Sequence, residues 1–381
     1  MFNFGRDNTS KLARWWRNTD KQILFLFIFL FLLGLFFSFS STSSIVAEKL
    51  NKQTYFFFLK HLIFVFVSLF LLVFISIQEK NILMKFIPIL FFISILLLFL
   101  VPFIGVEVKG SKRWLDLIFL PRFQPVELVK PLFIVFIAKI ITTEEKKQVN
   151  TRYLYSFFIL LVIIIFLINQ PDLGQTLLLS FTWITMIFVS GFNMFVLAIL
   201  SFLFLSFVAL SIFFLPEKFG YIFLRLKNFI DPKQGGDDFQ SQVALDAIKQ
   251  GGLTGQGMGE GILKNKVPEA HTDYIIAVIA EEFGAIFVLF IVIIFLFIAY
   301  KIFNRVFLEN KEFIKLALVG LISLLIIQTF IHIGVNTRLL PTTGMTLPFL
   351  SYGGSSLIGS SIVAGIILNL IRKDNLEFEN E

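Results

Sequence analysis

The chain has 381 residues, 57% of them hydrophobic, with 52 Phe and a formal net charge of +7. A soluble domain of this length does not have that composition, and the lack of Cys excludes disulfides, thiolate metal sites and cysteine nucleophiles. Many runs reach the ~20 apolar residues that cross a bilayer, and they do not alternate as barrel strands would.

These features predict an all-α, polytopic membrane protein. Residues 1–21 are polar and carry Arg6, Lys11, Arg14, Arg17 and Lys21. The first apolar run, 23–39, is too long for a cleavable leader and has no small-residue cleavage site after it. Ten spans are predicted, over 22–40, 55–77, 82–103, 124–143, 153–169, 173–190, 193–215, 272–302, 313–335 and 352–371. An even number places both ends, 1–21 and 372–381, on one side. The loops on that side carry Lys80, Lys146, Lys147, Arg152, Arg305 and Lys311, with Arg372 and Lys373 in the tail, so the positive-inside rule makes it cytoplasmic.

Lys109, Lys112, Arg113 and Arg122 break that rule in an outer loop. They fit an anionic ligand and, equally, a cluster gripping lipid phosphates. Glu127 and Lys130 are i,i+3 on the fourth span and are expected to pair, which favours a supporting role. Asp172 follows Pro171 at the start of the sixth span, where capping is the plain alternative to ligand binding.

The longest loop, 216–271, is also outer. An amphipathic stretch over Phe219–Ile230 is expected to lie on the membrane surface. Asp231 to Gly236 breaks it, and a short helix over Phe239–Ile248 follows. Gly251 to Gly261 is glycine-rich, but no Gly-Lys-Ser/Thr ends it, so it is not a phosphate loop. There is no repeat of 20–50 residues and no separate soluble domain.

The stretch from Pro268 to Gly284 opens the eighth span. It puts His271 and Asp273 at a helix mouth and Glu281 and Glu282 about 12 Å further in. Carboxylates deep in hydrocarbon face a bundle interior, where these two are expected to pair with a cation from a neighbouring helix, a proton relay being the alternative. Ala277, Ala280 and Gly284 share a face with Asp273 and allow a helix or ligand to come close. Asp273 has the strongest claim to catalysis. It is acidic, water-accessible and favoured by the helix N-terminus, which would also make it a plain cap. His271 could act as a base or orient the loop. The three scattered His form no zinc site. From Asn336 to Ser356, prolines, glycines and hydroxyls interrupt an apolar stretch, as backbone lining a wet cavity does. Every unusual polar segment thus meets the outer face, where there is no ATP.

Five segments together resemble the SEDS family of bacterial membrane proteins, the FtsW/RodA/SpoVE group. They are Lys109–Asp116, Phe123–Lys130, Gln170–Gly174, Pro268–Gly284 and Leu340–Ser356, in family order through nearly the whole chain. Pro-Glu-Ala-His-Thr-Asp and Leu-Pro-Thr-Thr-Gly-Met-Thr are most similar to the cell-division branch. Glycine is common in the family where Arg338 stands. The resemblance implies a glycosyltransferase that polymerises lipid II, a disaccharide-peptide on undecaprenyl pyrophosphate, in the bacterial cytoplasmic membrane, at the division septum. It maps the catalytic aspartate onto Asp273 and a glutamate–lysine pair onto Glu127 and Lys130.

In that reading Lys109, Lys112, Arg113, Asp172, His271, Thr272, Ser351 and Ser355 are substrate-binding candidates, with Glu127, Lys130, Glu281 and Glu282 in support. A divalent cation, Mg or Mn, could assist the leaving pyrophosphate. Small residues on the eighth span could offer a groove for the polyprenyl tail. The expected partners are a class B penicillin-binding protein and other division proteins, with no nucleic acid. A lipid II flippase, or a division scaffold without chemistry, remains the alternative. A flippase predicts important polar residues on both faces.

Overall fold

The computed structural model describes residues 10–41, 56–108, 110–116, 121–143, 149–193, 195–199, 216–230 and 237–373, with single positions between 202 and 214. The elements are α1 (Lys11–Asn18), α2 (Lys21–Ser41), α3 (Phe56–Ile77), α4 (Lys80–Ile104), β1 (Val106–Val108), β2 (Ser111–Trp114), α5 (Val126–Thr142), α6 (Val149–Asn169), α7 (Leu173–Val189), α8 (Pro216–Ile230), α9 (Asp237–Gly251), α10 (Ile275–Leu308), α11 (Glu312–Asn336) and α12 (Gly354–Ile371). Seven of these helices are long and apolar enough to cross a membrane, and α7 is a shorter apolar helix of 17 residues. Nine of the ten expected spans thus have a matching helix. The remaining one, the seventh at 193–215, lies largely outside the described residues.

Apolar helices pack here by position in the bundle. α11 and α12 are buried on most sides, whereas α3 turns Phe66 and Phe70, 74% and 66% exposed, outward. Helix α1 and the end of α12 lie at one end of the bundle. Trp15 of α1 donates to Ser76 Oγ (3.0 Å), and the Arg372 guanidinium binds the carbonyls of Ser76, Ile77 and Gln78. Arg305 pairs with Asp20 at the same end. The hairpin β1–β2 and the starts of α5, α7, α10 and α12 lie at the other. The hairpin is the one sheet among the described residues, antiparallel with Glu107 opposite Lys112.

The glycine-rich stretch is part of the helix framework. α10 runs 34 residues but breaks at Gly284, which has φ +81. An unbroken helix would bond Ala285 N to Glu281 O and Ile286 N to Glu282 O. Instead, Ala285 N donates to Gly252 O (2.9 Å) and Ile286 N to Leu253 O (3.2 Å), while Gln256 N and Gly257 N donate to the carbonyls of Glu281 and Glu282 (2.9 and 3.0 Å). The loop is spliced into the helix and satisfies these four groups. A Cβ on Gly255 would lie 2.2 Å from Glu282 O, and one on Gly284 2.2 Å from Leu253 O, so this approach requires glycine on both sides.

The splice corrects the expected depth of the two glutamates. Glu282 bonds Ser40, at the end of α2 away from the chain termini. The outward-facing apolar residues of α10 begin only at Ile286. Glu281 and Glu282 therefore lie near the rim of the bundle, not deep in hydrocarbon. Their partner is a loop. Glu281 accepts from the backbone N–H groups of Leu263 and Lys264 (both 2.7 Å), and Glu282 pairs with the buried Lys264 ammonium. Ala277 and Ala280 are buried, and the end of α9 comes so close that a Cβ on Gly251 would meet Ala280 O at 1.9 Å. What the small residues admit is α9 and its loop, so they offer no groove for a lipid tail.

Arg338 has φ +58 just after α11. Leu339 N and Leu340 N both donate to Gly334 O, closing the helix there. This is the left-handed position that favours glycine, which accounts for the residue common there in the resembling family. Here the arginine side chain reaches α9 and donates to Gln242 Oε1 (2.6 Å).

Candidate functional site

Asp273 sits in a turn before α10, partly exposed. Three successive carbonyls of this turn are held. Tyr352 N donates to His271 O (2.9 Å), Ser351 Oγ to Thr272 O (2.7 Å), and Asn336 Nδ2 to Asp273 O (3.0 Å). The turn is thereby fixed to the end of α11 and the start of α12. Thr272 spends its hydroxyl on Glu269. His271 packs its ring against Phe57 and Tyr352. Ser351 is buried and also accepts from Leu347 N (2.8 Å), and Ser355 Oγ accepts from Gln124 N (3.0 Å).

Arg113 arrives from β2. Its Nε and Nη2 donate to the carbonyls of Gln170 and Pro171 (3.1 and 2.5 Å), fastening the hairpin to the turn between α6 and α7. Its remaining nitrogen borders Gly344, as the Asp273 carboxylate does. A Cβ on Gly344 would lie 3.5 Å from Asp273 Oδ2 and 3.9 Å from Arg113 Nη1. Asp172, the N-cap of α7, is buried, accepting from Gln175 N and from Gln124 Nε2 (3.4 and 3.0 Å). Burial pushes its carboxyl above the ordinary carboxylate range, against the pull of the Arg113 charge. Lys112 is exposed on the hairpin, Lys109 lies outside the described residues, and Arg122 pairs with Asp116 at 3.1 Å. The three described members of the expected cluster are thus separate: Arg113 borders Gly344 with Asp273, Arg122 is neutralised locally, and Lys112 is in water.

Glu127 and Lys130 pair at 2.8 Å, both buried. Gln175 donates to Glu127 Oε1 (3.2 Å) and Lys130 to Gln328 Oε1 (3.2 Å), so the pair ties α5 to α7 and α11. Gln328 in turn donates to Thr346 O (2.9 Å). Sequence reasoning passed over Gln328, His332 and Asn336. The available signal is their i, i+4, i+8 spacing in an apolar helix, a single polar stripe.

A partly exposed carboxylate that shares a cleft with a guanidinium can take a proton beside a bound anion. Among the described residues no three His, Asp or Glu side chains converge as a metal site.

The chain matches the FtsW/RodA/SpoVE family model, described as cell cycle protein, over residues 21–376. It is 34% identical over 375 residues to the probable peptidoglycan glycosyltransferase FtsW of Caulobacter vibrioides, covering 97% of this chain and 93% of that one. The protein of the same name from Haemophilus influenzae is 35% identical over 297 residues, 75% of this chain and 74% of the relative. In fold, the chain is similar to a chain of a peptidoglycan synthase complex (TM-score 0.75, 24% identity, 93% of this chain and 97% of that one). It is also similar to the rod shape determining protein RodA of Thermus thermophilus (TM-score 0.67, 24% identity, 93% and 97%).

Proposed function

This chain belongs to the FtsW/RodA/SpoVE family of cell cycle proteins, and from that premise we propose that it is a peptidoglycan glycosyltransferase with Asp273 as its general base. The substrate is lipid II. The acceptor sugar's 4-hydroxyl attacks the anomeric carbon of the donor, and its proton passes to the Asp273 carboxylate. The bond from that carbon to pyrophosphate breaks, and undecaprenyl pyrophosphate leaves with its electron pair. One base suffices for a single displacement with inversion. The donor is already activated, so no nucleotide is needed.

The observation that carries this reading is the convergence of Asp273 and Arg113 on Gly344. It sets a proton acceptor beside a cation suited to a departing pyrophosphate. Lys112 extends the positive charge towards water. A divalent cation, where one takes part, would come with the pyrophosphate. In this reading the end of the bundle holding both termini is cytoplasmic, the site is extracytoplasmic, and a class B penicillin-binding protein crosslinks the product at the division septum. The crowding of polar networks at one end supports a polymerase over a flippase. The described contacts at the other end, such as Asp20 with Arg305, join helix ends.

The test compares purified wild-type and Asp273→Asn protein on lipid II with the cognate transpeptidase present. The substitution is nearly isosteric and is expected to lower chain formation by about 10²–10⁴-fold. Equal glycan from both proteins would remove Asp273 as base. No glycan from either would favour a flippase or a scaffold.

A further inference from the structure

We propose that Gln328, His332 and Asn336 form a positioning ladder on α11 that sets the place of Asp273, a proposal that rests on the reading of Asp273 as the base and deepens it. All three are buried, and each commits its side chain to an irregular backbone that no regular element holds. Gln328 Nε2 donates to Thr346 O (2.9 Å). One turn on, His332 Nδ1 donates to Met345 O (2.7 Å). One turn further, Asn336 reaches the catalytic turn. The ladder thus fixes the extended stretch that carries Gly344 and the turn that carries Asp273 against one rigid rod. Its lower end is anchored through Gln328 to the buried Lys130–Glu127 pair.

Asn336 is the decisive rung. Its Nδ2 donates to Asp273 O (3.0 Å) and to His332 O (2.8 Å), and its Oδ1 accepts from Ala277 N (3.2 Å). Tyr274, at the N-cap of α10, makes no side-chain cap, and Ala277 N, which also donates to Tyr274 O (3.0 Å), shares its hydrogen with Asn336, so a first-turn amide of α10 is tied to another helix. A primary amide has the two donors and the acceptor needed to hold the Asp273 and His332 carbonyls and the Ala277 amide at once. Aspartate keeps the shape but cannot donate, and alanine can do neither. Asn336 is a positioning residue. Its effect on chemistry is through where the Asp273 carboxylate sits.

The experiment uses the full-length protein in detergent or nanodiscs, with lipid II as substrate, and reads two things. The first is amide exchange over residues 272–278. The second is kcat and KM of chain formation. For Asn336→Ala we expect faster exchange at 275–278 and a loss in kcat approaching the ~10²-fold that small misplacements produce, with KM nearly unchanged. Asn336→Asp retains an acceptor for Ala277 N. It is expected to keep that protection yet still lose kcat, so it serves if the alanine protein folds poorly.

Unchanged exchange in Asn336→Ala would overturn the ladder, as would faster exchange with wild-type kcat, or an effect confined to KM. An inactive Asp273→Asn protein together with a fully active Asn336→Ala protein overturns the ladder alone. An active Asp273→Asn protein overturns the base reading, and the ladder's catalytic meaning with it.

Discussion

The Asp273 carboxylate and the Arg113 guanidinium both border Gly344, which has φ +65 and no side chain to fill the space beside them. A methyl group at Gly344 would make ordinary contacts with both, at 3.5 and 3.9 Å, so it would fit. Its cost is twofold. The left-handed backbone penalises a Cβ by about 1–2 kcal/mol, and the methyl occupies the space where donor and acceptor must meet. Gly344→Ala is expected to fold with a modestly lowered melting temperature and to lose at least about tenfold in polymerisation, more than 1.4 kcal/mol of barrier. Thermal unfolding and chain formation measured on one preparation check this. A fully active Gly344→Ala protein would place the reacting groups elsewhere.

Arg113 and Lys112 are adjacent, yet the structure gives them different work. Arg113 uses a planar fork to hold two carbonyls while presenting its third nitrogen, which a lysine ammonium cannot reproduce. Lys112 is exposed, and a charge in water acts over roughly a Debye length, about 8 Å at physiological salt. Arg113→Lys is therefore expected to impair polymerisation strongly at every salt concentration. Lys112→Ala should weaken lipid II binding a few-fold at low salt and little at high salt. Binding isotherms at two ionic strengths separate the two. Identical salt dependence for both variants would mean a diffuse lipid-gripping patch.

How much of this could be read in the sequence follows from how local each signal is. Apolar runs located nine helices because burial in lipid needs only length. Asp273 stood out because an acid at the mouth of a long apolar helix is rare. The strands of Val106–Val108 and Ser111–Trp114 are too short to carry a pattern. Helix α1, capped by Ser10, lies within the polar stretch 1–21, where no apolar run marks it. The depth of Glu281 and Glu282 was misjudged because a steady rise per residue assumes an unbroken helix. The splice that breaks it depends on a loop some 30 residues earlier. Asn336 lies 63 residues from the aspartate it holds, and no local pattern links them.

The Glu127–Lys130 pair should behave as a buried unit. Removing one partner strands the other charge in a low dielectric, at a cost of about 3–5 kcal/mol. Glu127→Ala and Lys130→Ala are each expected to lower folded yield and melting temperature sharply. The double variant should lose less than the two losses combined, because no charge is stranded. Gln175 and Gln328 would still lose one partner each, so the double variant should not recover fully. A double-mutant cycle on thermal stability measures the coupling, and strict additivity would show that the pair does not act as a unit.

The splice at Gly284 offers the sharpest test of the link between the glycine loop and the site. Gly284→Ala puts a Cβ 2.2 Å from Leu253 O, so backbone must shift, and into a φ that disfavours it. Two ways out exist. The loop withdraws while the break persists, or α10 closes into a continuous helix with Ala285 N returned to Glu281 O and Ile286 N to Glu282 O. Both release residues 251–262, and the second also swings the segment that carries Asp273, because straightening a kinked helix reorients everything before the break. Gly284→Ala is therefore expected to expose 251–262 to protease and to amide exchange, and to reduce polymerisation although the substitution touches no substrate. Glu281→Gln should produce a weaker form of the same release. The amide oxygen can still accept from one of the Leu263 and Lys264 amides, but the other meets an NH₂ group, and the charge is gone. Limited proteolysis, mapped by mass spectrometry and set beside activity for both variants, checks the ordering. If Gly284→Ala keeps the loop protected and the enzyme fully active, the spliced geometry is not what holds Asp273 in place.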